Sequence, residues 1–239
     1  MRFCLREVDL CVVWTRVECA RYSKEYGVSR SKFAFVRHHH TLKRYQYEVT
    51  DEGYIFTGGN SDRDYRLFFD AVRDLRIPCI VATNLPRLLK GLATPENVRV
   101  VSATAAEFRQ LMARSRLVVI PMRGNLLRTG GQQTFLNAMC MRKPVILTDP
   151  EGGSDYIEDG KTGFLVRQGD SAALRDAITR LWNHSEEAKA IGDGGYDAAL
   201  PLTTERCNTE IWNLSFDLVR SKKGQLRLNE PEMEKRRAF

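Results

Sequence analysis

Short, almost wholly apolar runs alternate with stretches of helical spacing along most of this chain. Residues 54–57, 78–82, 98–101, 117–121, 145–147 and 163–166 have the length and composition of buried strands. Between the first two, Tyr65, Phe68, Phe69 and Val72 form an apolar stripe on a helix over residues 61–75. Ser61 stands where that helix needs an N-cap, with Asp64 in the capping-box position. A short helix fits residues 86–90, and another fits residues 105–114. Asp170 caps a helix whose apolar positions are Leu174, Ala177, Ile178, Leu181 and Trp182.

Ahead of this series, residues 8–15 read as a strand and residues 16–26 as a helix closed by Gly27. Residues 32–37 alternate like a second strand. After the series, Thr203 or Thr204 opens a helix with Cys207, Ile211, Leu214 and Leu218 on one stripe. The charged stretch from about residue 221 is expected to fray.

Strands alternating with helices mean parallel β-α-β units, hence an α/β protein with a doubly wound, Rossmann-like parallel sheet of six strands. Such sheets bind ligands at the carboxyl ends of their strands. The loops after residues 57, 82, 101 and 121 should therefore line a site.

Two of these loops carry candidate chemistry. In the first, Gly58, Gly59 and Asn60 let a ligand approach the backbone, and Arg63, in the first helical turn, offers a forked cation to phosphate oxygens. The second runs from Met122 to Gln133 and is long for such a connection. Arg123 and Arg128 flank Gly130 and Gly131 there. Thr129 can cap the next helix or bond a sugar, and Gln132, Gln133, Thr134 and Asn137 supply neutral polar groups suited to hydroxyls. A glycine loop leading into a helix start favours an anion. No G-x-G-x-x-G occurs, which argues against a dinucleotide fingerprint. Asp149 and Glu151 read as turn residues, His38-His39-His40 as a solvated basic linker, and His184 as a surface residue.

Composition narrows the picture. The chain has 239 residues, 43% of them hydrophobic and 28% charged, as in an ordinary soluble protein. It has no run long enough to cross a membrane and no N-terminal signal pattern. Six cysteines without a C-x-x-C pair fit free core thiols in a reducing compartment, and no metal site is expected. The net charge of +7 is concentrated near residues 37–44 and 220–237. A solvated face, attraction to anionic lipid and nucleic-acid binding compete to explain it. The lack of an aromatic-basic module argues against nucleic acid.

Residues 130–147 and 155–166 together resemble the nucleotide-sugar half of a GT-B glycosyltransferase, in the large retaining family of "glycosyl transferases group 1" related to glycogen synthase. The resemblance covers about residues 9–193. It implies that residues 1–48 are a remnant of an acceptor domain with its linker, 49–200 the donor domain, and 201–239 a closing helix and charged tail. It further implies that the chain lacks most of its amino-terminal domain, so that residues 8–36 would be exposed and sticky. Two glutamates are usual in the family's glycine-loop helix, and the alignment puts Thr129 and Asn137 in their places.

The resemblance implies a metal-independent, retaining transferase that takes a nucleotide-diphosphate sugar as donor and uses no cofactor. Its acceptor would be a glycan or a lipid-linked molecule, with peripheral membrane association and a partner supplying the missing half, in the cytoplasm. The catalytic residues stay unassigned. A non-catalytic nucleotide-sugar or partner-binding module is the alternative, and a nucleotide-sugar epimerase is disfavoured by the scarcity of acid-base residues.

Overall fold

The computed structural model describes residues 2–124, 126–149 and 151–236, with side chains described from residue 4 to 221 within that span. After a short helix α1 (Arg2–Glu7), strands β1 (Cys11–Val13) and β2 (Phe33–Phe35) pair in parallel on either side of helix α2 (Arg16–Tyr26). Gly27 closes α2 in the left-handed conformation, as its sequence position predicts.

A six-stranded, wholly parallel sheet follows. Its strands are β3 (Ile55–Gly58), β4 (Cys79–Ala82), β5 (Val98–Val101), β6 (Leu117–Ile120), β7 (Val145–Asp149) and β8 (Phe164–Arg167). They lie in the order β5-β4-β3-β6-β7-β8, so the topological switch falls between β3 and β6. Helices α3 (Tyr65–Val72), α4 (Ala105–Arg114), α5 (Gln132–Cys140) and α6 (Ser171–Asn183) cover the two faces.

The strands read as unbroken apolar runs because each face takes alternate residues. Phe56, Ile80, Val118 and Ile120 pack on one side with Met112, Phe135 and Met139. Ile55, Val81, Leu117 and Val119 pack on the other with Phe68, Leu174 and Ile178. Both layers are built of closely packed apolar side chains, which hold the strand ends in place for the loops above them.

The structure corrects several expectations. Helix α3 starts at Tyr65, not after Ser61, and its cap is Asp64, whose carboxylate accepts from Leu67 N at 3.0 Å. Residues 61–64 cannot be helical because Asp62 is left-handed and Arg63 forms an antiparallel bridge with Met122. Residues 8–15 contribute only three residues to β1. The chain does not fray at residue 221: α8 runs Thr204–Arg236, entered through Thr203, whose hydroxyl accepts from Arg206 N.

Helix α7 (Ser185–Ala199) is an element the periodicity does not announce. It buries Ala188, Ile191, Gly192 and Gly195, and a Cβ on Gly192 would stand 2.3 Å from Arg142 O. Small residues there allow a helix-to-backbone approach that larger side chains would block.

Residues 8–36 are not a loose apolar flap. Val13, Cys19 and Phe33 form a small buried core, although Val8 remains 38% exposed. The piece is fastened to the large sheet by polar contacts described next.

Candidate functional site

The carboxyl ends of β3, β4 and β5 open into two adjoining hollows. One, of about 460 Å³, lies between the β1-α2-β2 piece and the large sheet, lined on the sheet side by residues 59–63 and 128–134. The other, of about 310 Å³, sits over Ala82, Thr83, Ala103 and Phe108. Gly59, Asn60, Gln133 and Thr134 belong to both and form the ridge between them. Volumes of this size suit a small-molecule ligand. The loops expected to line a site do so, and most of the sequence-predicted residues meet here.

Arg63 differs from its expectation. It lies ahead of α3 rather than in its first turn, and it is only 3% exposed. Its Nε donates to Gly58 O at 2.9 Å, Nη1 to Ser61 O at 3.0 Å, and Nη2 to Thr134 Oγ1 at 3.0 Å. The guanidinium is thus a strut that ties the β3 loop to the first turn of α5. Burial pushes its pKa down, yet an arginine stays cationic in a protein, so the charge remains in the cleft wall. Gly59 has φ 132°, and a Cβ there would meet Arg63 Nη2 at 2.9 Å. Only glycine leaves this face open.

The β3 loop is also zipped to the loop after β6. Asp64 N donates to Pro121 O and Arg123 N to Asp62 O, at 2.8 and 2.9 Å. Arg128 Nη2 meets Asp62 Oδ2 at 2.8 Å, with the arginine side chain 61% exposed. An anion can recruit Arg128 only in competition with Asp62.

Thr129 does not cap α5. Gly131 holds the N-cap position with φ 87°, and no side-chain cap bond to the first turn is formed among the described residues. The helix therefore presents free donors and the positive end of its dipole to the ridge. Thr129 is bound to α2 instead: its N and Oγ1 both donate to Glu18 Oε1, at 2.8 and 3.0 Å. A carboxylate thus lies against the position where a glutamate is usual in the family this chain resembles, and it comes from a residue 111 positions away.

Asn137 is buried and engaged. Its Oδ1 accepts from Thr41 N at 2.9 Å, and its Nδ2 donates to Thr41 Oγ1 at 3.1 Å. Gln133 Nε2 reaches the same hydroxyl at 3.3 Å. Asn60 Oδ1 accepts from Thr83 Oγ1 and Asn84 N, both at 2.9 Å, and so sets the β4 loop. Gly58 faces neither hollow and contributes its carbonyl to Arg63.

The other cleft wall was not legible as a site. Trp14, Glu18, Tyr22 and His38 line it. It is held by Arg16, which donates its backbone N to Asp155 at 2.7 Å and pairs its guanidinium with the same carboxylate. Arg21 donates to Leu126 O at 2.8 Å and pairs with Glu151 at 2.7 Å. Tyr156 donates to Trp14 O and accepts from His38 N at 2.9 Å. Asp149 accepts from Gly153 N at 2.8 Å, a turn role as expected.

The histidine run is no solvated linker. His38 packs on Trp14 with ring centroids 4.8 Å apart, and His40 is 8% exposed. Burial lowers the pKa of both. His184 is exposed, as its position after α6 suggested.

Comparison with known proteins gives this geometry a family. The model of "Glycosyl transferases group 1" matches residues 53–184, more than half of the chain. The chain belongs to that family. It is 34% identical to EpsD of Bacillus subtilis over 85 residues, 36% of this chain and 22% of that protein. It is 28% identical to alpha-D-kanosaminyltransferase of Streptomyces kanamyceticus over 119 residues, 49% of this chain and 29% of that protein. The chain thus spans less than a third of the length of these curated relatives.

Among solved structures, sucrose-phosphate synthase from Thermosynechococcus elongatus superposes with a TM-score of 0.75 at 16% identity, covering 92% of this chain and 61% of that one. Anabaena Alr3699/HepE, crystallised in complex with UDP-glucose, superposes with a TM-score of 0.70 at 15% identity, covering 90% and 68%. These likenesses establish a GT-B, Rossmann-like fold. No helix among the described residues is long and apolar enough to cross a membrane.

Proposed function

We propose that the cleft binds a nucleotide-diphosphate sugar and that this chain is the donor side of a retaining, metal-independent glycosyltransferase. The observation that carries this reading is the uncapped start of α5 facing Gly59, with the Arg63 cation buried between them. Free N–H groups, a helix dipole and a fixed positive charge converge where a diphosphate would lie. The hollow over Ala82, Ala103 and Phe108 suits a base, while the polar cleft under α2 suits a sugar. UDP-glucose in the Anabaena homologue favours the same ligand class.

In this reading the departing diphosphate is steadied by the helix start and by Arg63, with Arg128 recruited from Asp62. The acceptor is a glycan or lipid-linked molecule, and a further domain or partner completes the acceptor side. One observation favours a second reading, a binding module without turnover: Asn137, expected to meet the donor, is occupied by Thr41.

Calorimetric titration with UDP-, GDP- and ADP-sugars tests the proposal. Binding of at least one nucleotide sugar, tighter than its sugar alone, is expected. Binding of none sinks the donor reading. Binding without hydrolysis or transfer to any glycan or lipid-linked acceptor favours the module.

A further inference from the structure

We infer that Glu18 is a positioning residue that sets the polarity of a hydrogen-bond relay aimed at the sugar of the donor; this rests on the donor reading above. Glu18 is 2% exposed and comes from α2, outside the large sheet. Its Oε2 accepts from Trp14 N at 3.0 Å and Thr15 N at 3.1 Å. Its Oε1 accepts from Thr129 N at 2.8 Å, Thr129 Oγ1 at 3.0 Å and Tyr22 OH at 3.4 Å. A carboxylate has about four acceptor sites, so this one has no capacity left for a ligand. It can act only through the groups it holds.

The chief of these is Thr129. A threonine hydroxyl has one proton and two lone pairs. With the proton committed to Glu18, Thr129 Oγ1 can only accept from its other neighbours, Thr15 Oγ1 at 3.3 Å and Gln132 at 3.0 Å. The Gln132 atom that faces it must therefore be the amide nitrogen, which fixes the otherwise ambiguous amide. The amide oxygen becomes the end of Gln132 available to a ligand hydroxyl. Glu18, Thr129 and Gln132 all line the cleft under α2, and none lines the hollow over Ala82 and Phe108. The relay should thus read the sugar and leave the nucleotide alone.

A capping-box role for Glu18 in α2 is also present, so the test must separate sugar reading from helix stability. Glu18→Gln puts an NH2 group against backbone donors whichever way the amide turns. Thr129→Val removes the relay hydroxyl and leaves the backbone N–H on Glu18. Affinities of the full chain for UDP and UDP-glucose, with the ADP and GDP pairs alongside, are measured for both variants and their double.

Each single variant is expected to weaken the nucleotide sugar about tenfold, as for loss of a charged hydrogen bond, and the sugar-free nucleotide less than about twofold. The double variant should be no weaker than the worse single, since one relay is broken once. Equal weakening of both ligands, no weakening, or additive losses overturn the inference while the donor reading stands. A wild-type chain that binds no nucleotide sugar overturns both. Should Glu18→Gln fail to fold, Thr129→Val decides alone, and failure of both to fold makes the contact purely structural and overturns the proposal.

Discussion

The two walls of the cleft are built by opposite means. The sheet-side wall is an extension of the core: Arg63 is anchored among carbonyls beside Met122 and Thr134, next to β6, whose four residues are all fully buried. The α2 wall has only a small apolar core of its own and is fastened across the cleft by Glu18, Arg16, Arg21 and Tyr156. Hydrophobic packing is spread over many contacts and tolerates single losses, whereas a polar seam concentrates its stability in a few bonds. The sheet-side wall is therefore the firmer one, and the α2 wall, which faces the sugar in the proposed function, is the one a single substitution can release.

The sharpest way to break that contrast is to remove the strut. Arg63→Ala leaves Gly58 O, Ser61 O and Thr134 Oγ1 without their donor and opens a cavity, so unfolding free energy should fall by about 3 kcal/mol or more. A urea unfolding curve measures it. A loss under about 1 kcal/mol would mean that the sheet-side wall is not held by this residue. On the α2 wall, Asp155→Ala should cost about 2 kcal/mol, because an 8% exposed carboxylate loses the Arg16 backbone and side chain, the latter largely in solvent. Here the loss should be local, appearing as faster hydrogen exchange in α2 than in β3 to β7. Uniform acceleration across the sheet would show that the two walls are one cooperative unit.

The sequence carried one wall far better than the other. All six strands of the large sheet, α4 over residues 105–114, and the Asp170 cap follow from apolar spacing and local turn chemistry. Those signals reside within a few residues of the structure they make. The start of α3 is ambiguous in the sequence because Ser61 and Asp64 are both good caps, and the choice depends on Arg63 bridging to Met122, 59 positions away. Helix α7 is not announced because Gly192, Gly194 and Gly195 lower helix propensity, while close backbone contacts demand them: a Cβ would stand 2.3 Å from Arg142 O, 2.5 Å from Lys161 O and 2.9 Å from Thr162 O, respectively. Glu18 is hidden for a related reason. In the first turn of α2 it reads as a capping-box partner, and its bonds to Thr129 exist only in the fold. The loops that line the cleft, at residues 59–63 and 128–134, are legible because glycines and arginines mark them locally; the bonds that occupy Arg63 and Asn137 are not so marked.

Acidification sharpens the comparison at the linker beneath the α2 wall. Burial lowers the pKa of His38 and His40 below the ordinary 6.5. As pH falls below about 6.5, the unfolded chain binds these protons before the folded one does, so stability is lost in that window and flat above it. His40 is faced by His39, which adds to the lowering, and by Glu205, which opposes it. His38 packs against Trp14 and holds Tyr156 through its backbone, so the α2 wall should loosen first. Hydrogen exchange at pH 5.5 and 7.5 is expected to show the larger change in α2. His40→Asn should flatten part of the global dependence; an unchanged pH profile would remove the histidines from this account.

The smallest effect on stability should come from Arg128, and it separates the two arginines most cleanly. The arginine end of its pair with Asp62 is mostly in solvent, so Arg128→Ala should change unfolding free energy by less than about 1 kcal/mol. If Arg128 swings from Asp62 to a diphosphate, the same variant should weaken UDP binding about tenfold, since the new bond is charged at both ends. That loss should shrink as salt is raised, because an exposed cation is screened and the buried Arg63 is not. Asp62→Asn frees Arg128 and should strengthen UDP binding, the opposite sign from the same ion pair. Loss of affinity in both variants would mean that the Asp62–Arg128 pair shapes the loop, and that Arg63 with the α5 start carries the anion without it.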